Sequence, residues 1–366
     1  MIKEGKIGVQ EAVCLVTITM GNQIFFTAPT IVTQHVGTAG WYMTIISGIV
    51  AIISFTFIYL LLKRFPGKGI IEVFDITFGR KLGFVISFTY ALSCLVAPSV
   101  LLREFSEVLK VFILPLTPIS VIIGAVIIAG IVAAYLGLES IARISKFIAY
   151  IFLVGYVAVL LLARNEYDFS NLFPIWGYGI GTTIKEGITR SSVFSEIILV
   201  AIFAGSLQGT KHIKKIGYIS LILSCLIISG GLFCLTLVFP YPVLQEMTSP
   251  IYTLARAIKY GVFVQRMDPL FIFLWNITTI ISISVLFYTS VRIFCAILRL
   301  EDKRPIIMPL GVVVFSMTMT IVDITDVIEI YIELLRVYAL GLFYAVPIIA
   351  LITAIIRKKK GAEINA

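Results

Sequence analysis

The chain alternates long apolar runs with short polar, mostly basic connections. The runs are about 20 residues long, the length a helix needs to cross about 30 Å of hydrocarbon. The alternating ten-residue pattern of a membrane barrel is absent. The pattern predicts an all-α polytopic membrane protein with ten transmembrane helices, at roughly 12–32, 41–62, 82–102, 119–137, 144–163, 188–206, 216–240, 269–297, 306–322 and 337–356. The third is expected to continue to about residue 114. The first run is too long for a cleaved signal peptide, and no small-residue cleavage site follows it. Composition agrees: 59% of residues are hydrophobic, 13% are charged and the mean hydropathy is +1.05. A soluble domain carries about 25% charged residues.

Charge sets an expected orientation. With the N-terminus in the cytoplasm, 20 of the 29 Lys and Arg fall on inner segments, clustered at 3–6, 63–81, 143–146, 211–215, 292–304 and 357–360. The positive-inside rule then places both termini in the cytoplasm. The loop between the ninth and tenth spans is acidic (Asp323, Asp326, Glu329, Glu333), as an outer loop can be. The net charge of +9 follows from this topology and implies no nucleic-acid partner, whereas the basic C-terminal run suits an anionic lipid bilayer. Five cysteines, Cys14, Cys94, Cys225, Cys234 and Cys295, scatter through the spans without a CxxC pair and read as packing residues. His35 and His212 fall on opposite sides of the membrane. HExxH, P-loop and GxSxG units are missing, so neither metal, cofactor nor enzyme chemistry is expected.

Polar residues inside the spans carry the functional signal. The first span holds Gly21-Asn22-Gln23 near its middle. Backbone at that depth must bond internally unless it lines a cavity. The pair Gly21-Asn22 is therefore either a deliberate helix break of the kind that holds transporter ligands, or a close packing point. The sixth span carries Ser191, Ser192, Ser195 and Glu196, with the carboxylate about 12 Å below a start at 188. A charge at membrane depth costs about 2.5–3.5 kcal/mol on insertion scales, so it is usually internal and functional. The long polar interval 164–187 leaves five spans on each side, so the second half enters the membrane from the opposite side. If the halves share a fold, about 1–163 and 188–356 form inverted repeats within a single transmembrane domain, and helix 1 corresponds to helix 6. Elsewhere, Arg103, Glu104, Glu107 and Lys110 read as a solvated extension of helix 3, self-neutralised at helical spacing. Thr278, Thr279 and Ser282 read as interhelical glue, Pro98 as a kink, and Trp41, Trp176 and Trp275 as interfacial anchors.

Several short motifs, in this order, resemble a known family: Gly5-Lys6-Ile7-Gly8 with Glu11, the stretch from Gly21-Asn22 to Pro29, Asn171-Leu172-Phe173-Pro174, Phe194-Ser195-Glu196, and Arg266-Met267-Asp268 leading to Trp275. The chain resembles the membrane-embedded B-subunits of spore germinant receptors, which belong with the amino acid–polyamine–organocation transporters. Asp268 departs from the Glu expected there but keeps the charge. The resemblance implies a LeuT-like five-plus-five inverted repeat with helices 1 and 6 discontinuous around a midplane pocket. It further implies a small nutrient ligand, often an amino acid, an A-subunit and a lipid-anchored lipoprotein C-subunit as partners, and the inner membrane of the spore as location. An unwound helix offers N–H groups and a positive dipole end to a carboxylate. That role is assigned to the backbone of Gly21, Asn22 and Gln23. Phe25 and Phe194 are expected to close the pocket or contact the ligand side chain, Ser195 and Glu196 to receive an ammonium group, and Ser93 and Thr279 to line the wall. The competing reading is an ion-coupled amino acid transporter with Glu196 as proton carrier.

Overall fold

The computed structural model describes residues 6–207, 210–258 and 268–361. Lys3, Gly5, Arg266 and Met267 lie outside the described residues. Helix α1 (Val9–Gly21) starts where Glu11 reaches back to accept a hydrogen bond from the Gly8 N–H at 2.8 Å, one half of a capping box. A 3₁₀ segment, Asn22–Phe25, follows; Phe26 is extended (φ −98°, ψ −155°), and α2 (Ala28–Val36) begins beyond Thr27. Pro29 stands in the first turn of α2, where its missing N–H costs little. That missing donor leaves the Phe25 carbonyl without a helical partner, and the Ser249 hydroxyl donates to it at 3.0 Å. The first span is interrupted, but not at Gly21, which is helical (φ −67°, ψ −25°) and packs against Ile227.

Helices α3 (Gly40–Arg64), α4 (Ile70–Phe78), α5 (Arg80–Phe112), α6 (Ile119–Leu136) and α7 (Leu138–Leu162) follow. α5 passes through Pro98 and runs on to Phe112, close to the expected end. α8 (Ile180–Thr189) begins before residue 188, so Glu196 lies deeper along its segment than the sequence suggested. It gives way to a 3₁₀ segment, Ser191–Ile197, in which Phe194 leaves helical geometry (φ −102°, ψ 16°). A short turn, α9 (Ile198–Ile202), and a 3₁₀ turn, Ala204–Ser206, complete the stretch. Serine side chains compete for backbone groups, and the Ser191 hydroxyl donates to the Ile188 carbonyl at 2.8 Å.

Helices α10 (Thr210–Val238), α11 (Tyr241–Leu244), α12 (Pro250–Ala257), α13 (Asp268–Leu298) and α14 (Arg304–Thr320) come next. The last stretch joins α15 (Ile324–Asp326), a π segment (Val327–Ile332), α16 (Glu333–Ala339), a second π segment (Leu340–Ala345) and α17 (Val346–Ile356). Glu329 and Glu333 are therefore helical rather than part of an acidic loop. Asp323 caps the start, accepting from the Asp326 N–H at 2.9 Å, and Arg190 neutralises Glu333 at 2.8 Å.

Among the described residues, seven helical stretches are long and apolar enough to cross a membrane. α14 is shorter, and the interrupted segments 9–36 and 180–206 contain no single helix of that length. α13 is the most buried of the long helices and packs on α5, α6 and α7. α1 lies against α10 and α7, and α3 packs along α10 and the 191–197 segment. On the outside, Ile128, Leu136, Phe147, Val154, Leu161 and Ile356 are each more than 60% exposed. Water does not tolerate such a belt, but lipid covers it. The chain is a multi-pass membrane protein.

Candidate functional site

The two interruptions meet. Gln23 Nε2 donates to Glu196 Oε1 at 2.6 Å and to the Val193 carbonyl at 3.2 Å. Consecutive residues of a 3₁₀ segment point about 120° apart. Asn22 therefore faces elsewhere, toward α13: its Nδ2 donates to Thr279 Oγ1 at 3.1 Å, and Thr278 Oγ1 donates to its Oδ1 at 3.1 Å. One short break thus joins the sixth segment on one side and the central helix on the other.

Beside this junction lies a cavity of about 150 Å³. Of the residues expected at the site, Asn22, Gln23, Ser93, Ser195 and Glu196 line it. Gly21, Phe25, Phe194 and Thr279 do not. The 3₁₀ turn sends Phe25 to the opposite side, where its ring meets Phe152, Tyr156 and Phe271 edge-on at 5.5, 5.9 and 5.3 Å. The extended Phe26 lines the cavity instead. Phe194 is fully buried beside Gly48, and Thr279 acts through Asn22. Trp275 is no interfacial anchor: it is 1% exposed, packed among Phe26, Phe105 and Phe271.

The charged end of α5 is not a solvated extension either. Arg103 pairs with Glu107 at 2.6 Å, as their spacing predicts, yet Arg103 and Glu104 are each only 5% exposed. Glu104 lines the cavity and accepts from Thr27 twice, from the N–H at 3.0 Å and the hydroxyl at 2.5 Å. The N–H freed by the break is therefore held by the protein's own carboxylate. Gly21 is helical, and the Asn22 N–H is bonded to the Ile18 and Met20 carbonyls. At Asn22 and Thr27 the backbone N–H groups are already taken within the chain rather than free for a ligand carboxylate.

Arg336, on α16, is the second residue the sequence reading missed, and it too lines the cavity. Helical spacing signals both. Ser93, Ala97, Val100, Leu101 and Glu104 recur along one face of α5, and Leu335, Ala339 and Phe343 share a face with Arg336 once the last helix is started early enough. Three atoms of cavity-lining residues lack any partner among the described residues: Ser192 Oγ, Glu196 Oε2 and Arg336 Nη1, all shut off from solvent. At the end of the bundle expected to face outward, Arg190 draws three elements together. It donates to Glu186 Oε2 at 2.9 Å, to Glu333 Oε1 at 2.8 Å and to His35 Nε2.

A family profile described as "Spore germination protein" matches residues 6–327. Spore germination protein KB of Bacillus subtilis (strain 168) is 22% identical over 313 residues, which cover 84% of this chain and 83% of that protein. Spore germination protein A2 of the same organism is 23% identical, with 96% and 97% covered. Among solved structures, MHP1, a nucleobase-cation-symport-1 family transporter in a closed conformation with bromovinylhydantoin bound, superimposes with a TM-score of 0.68 at 14% identity. That match covers 94% of this chain and 78% of that one, and at this identity it speaks for the fold. These relatives are named for germination and for transport, not for catalysis. With a match over most of its length, and with a fold similar to that of MHP1, the chain belongs to the spore germination protein family.

Proposed function

We propose that this chain is the membrane-embedded nutrient-sensing subunit of a spore germinant receptor. It binds a small molecule, an amino acid by its charge pattern, in the cavity between the interrupted first and sixth segments, and signals germination by moving one against the other. The observation that carries this reading is the Gln23–Glu196 bridge at the cavity wall, with Glu196 Oε2 buried and left without a partner. A buried carboxylate oxygen with no partner is costly to the folded state, and a cationic ligand group relieves it. Binding biases a conformational change only where affinity differs between the two states. The bridge supplies such a difference, because moving either segment separates Gln23 from Glu196.

In this reading the ten runs all cross the membrane, and the two five-helix halves, about 1–163 and 188–356, are inverted repeats of one transmembrane domain joined by 164–187. Both termini are cytoplasmic, and the bilayer is the inner membrane of the spore or the cell membrane. The A-subunit and the lipoprotein C-subunit receive the signal. A thermal-shift screen of the purified chain against amino acids, sugars and nucleosides tests it, since selective binding stabilises the folded state by mass action. Failure of every compound to raise the melting temperature, with spores lacking the chain still answering all nutrients, ends the proposal.

The second reading is an ion-coupled amino acid transporter, favoured by the fold and by Glu196 as a possible proton site. Counterflow of labelled amino acid in liposomes separates the two. Saturable exchange by the chain alone supports transport, and dependence on partner subunits supports sensing.

A further inference from the structure

We infer that Arg336, not the unwound backbone of the first segment, anchors the carboxylate of a zwitterionic ligand whose ammonium group sits on Glu196. This inference rests on the sensing role proposed above and names the ligand chemistry of the same cavity.

Three observations converge on it. Glu196 Oε2 and Arg336 Nη1 are both buried, both unpartnered and both in residues lining one cavity. They form no ion pair with each other within 4.0 Å among the described residues, and their elements line the same cavity. A molecule carrying a cation at one end and an anion at the other satisfies both at once, each through a charge-assisted hydrogen bond.

The alternative anion position is already filled. At the start of α2, Glu104 takes the Thr27 N–H and hydroxyl. Its negative charge there repels a second carboxylate from the site where the helix dipole would otherwise hold one. Arg336 is then the sole Lys or Arg among the described lining residues. With Glu104 and Glu196 it places charges of both signs around the cavity, so a zwitterion, which adds no net charge, meets the opposite sign at each of its ends. Phe26, Val100, Leu101, Leu286 and Phe343 supply apolar wall beside the polar Asn22, Gln23, Ser93 and Ser195. The volume of about 150 Å³ is below the roughly 300–1,000 Å³ of drug-sized pockets. The ligand class is a small free amino acid with an apolar side chain.

The placement of Arg336 gives such a ligand leverage. α16 lies between two π segments, 327–332 and 340–345. Irregular turns of this kind let a helix change register locally and are frequent at functional sites. One turn before Arg336 on the same helix, Glu333 holds Arg190 at the junction of α8 and the 3₁₀ segment. A carboxylate drawn to Arg336 moves the element that carries Glu333, and with it the contact to the sixth segment.

The test uses the full chain in lipid nanodiscs and compares glycine, L-alanine, L-valine and L-leucine with their amides, which lack the carboxylate charge, and their N-acetyl forms, which lack the amine charge. Calorimetric or thermal-shift titration is expected to show binding of at least one free amino acid, with its amide and N-acetyl forms weaker by about tenfold or more. Arg336→Gln should lower affinity for the amino acid by about tenfold and leave affinity for its amide within about twofold. Arg336→Lys, which keeps the charge but not the planar fork, should retain the preference for acid over amide at lower affinity. That variant also decides the matter if Arg336→Gln does not fold. An amide that binds as tightly as the acid, or an Arg336→Gln chain that still prefers the acid, overturns the inference. So does the absence of any amino acid binding. A sugar or nucleoside that binds in its place leaves the sensing role standing, whereas no ligand at all from the wider screen removes both.

Discussion

The two interrupted segments are held in different ways. The break in the first is short and densely braced. Glu104 holds the Thr27 N–H and hydroxyl, Ser249 takes the Phe25 carbonyl, and Thr278 and Thr279 clamp Asn22. The break in the sixth is longer, running from Ser191 through Ser206. Gln23 reaches Glu196 and Val193, Tyr344 donates to the Ser191 carbonyl at 2.9 Å, and both Ser192 Oγ and Glu196 Oε2 remain unpartnered. Satisfied polar networks are rigid, and partly satisfied ones are where a structure gives way. The contrast assigns the first segment to the frame of the site and the sixth to the part that moves.

The largest effect is expected at the best-braced point. Glu104→Ala removes the acceptor of two buried donors on Thr27. It should destabilise the ligand-free protein by about 3 kcal/mol, since a hydrogen bond to a charged group and an orphaned backbone N–H both count. Melting of the purified variant measures this. A melting temperature equal to that of the parent chain would show that the first segment is not the rigid partner.

Asn22→Leu should cost less, about 1–2 kcal/mol. Thr278 keeps alternative acceptors in the Leu274 and Trp275 carbonyls at 3.1 and 3.0 Å, while the buried Thr279 hydroxyl loses its Asn22 partner. On the other segment, Tyr344→Phe removes a single neutral hydrogen bond to the Ser191 carbonyl and should cost about 1 kcal/mol. The readout that sharpens the comparison is the nutrient concentration giving half-maximal germination. Tyr344→Phe should shift it by more than its modest effect on melting suggests, because the bond braces the moving segment. A shift in melting with no change in nutrient response would place Tyr344 in the frame.

Much of this arrangement is legible from residue order. The apolar runs located the long helices, and Gly21-Asn22-Gln23 and Ser195-Glu196 marked the regions that come together. What escaped was direction. Whether Phe25 or Phe26 faces the cavity depends on a 3₁₀ turn followed by one extended residue, and no periodicity announces that step. Glu104 was hidden by its neighbours: the Arg103–Glu107 spacing explained the charges so readily that the other carboxylate was read as solvated with them. Arg336 was lost to a boundary, because a span begun at 337 leaves it in the preceding loop. Both charged residues lie on helical faces that also carry cavity-lining residues. Extending a face along the helix, rather than pairing charges locally, recovers them.

The smallest effect tests where the frame ends. Gly21 has helical angles, and a methyl group added to it would meet Ile227 Cδ1 at 3.4 Å, a contact a small shift of that side chain absorbs. Alanine gains up to about 1 kcal/mol over glycine inside a helix, which offsets the tighter packing. Gly21→Ala should therefore change stability by less than about 0.5 kcal/mol and leave nutrient response unaltered. Gly21→Val is different, since a branched side chain cannot fit without displacing Ile227, and it should destabilise. Should the alanine variant melt like the parent yet fail to respond to nutrient, Gly21 would have to leave its helical conformation during signalling. The first segment would then bend as well, and the division into a fixed and a moving partner would have to be redrawn at that residue.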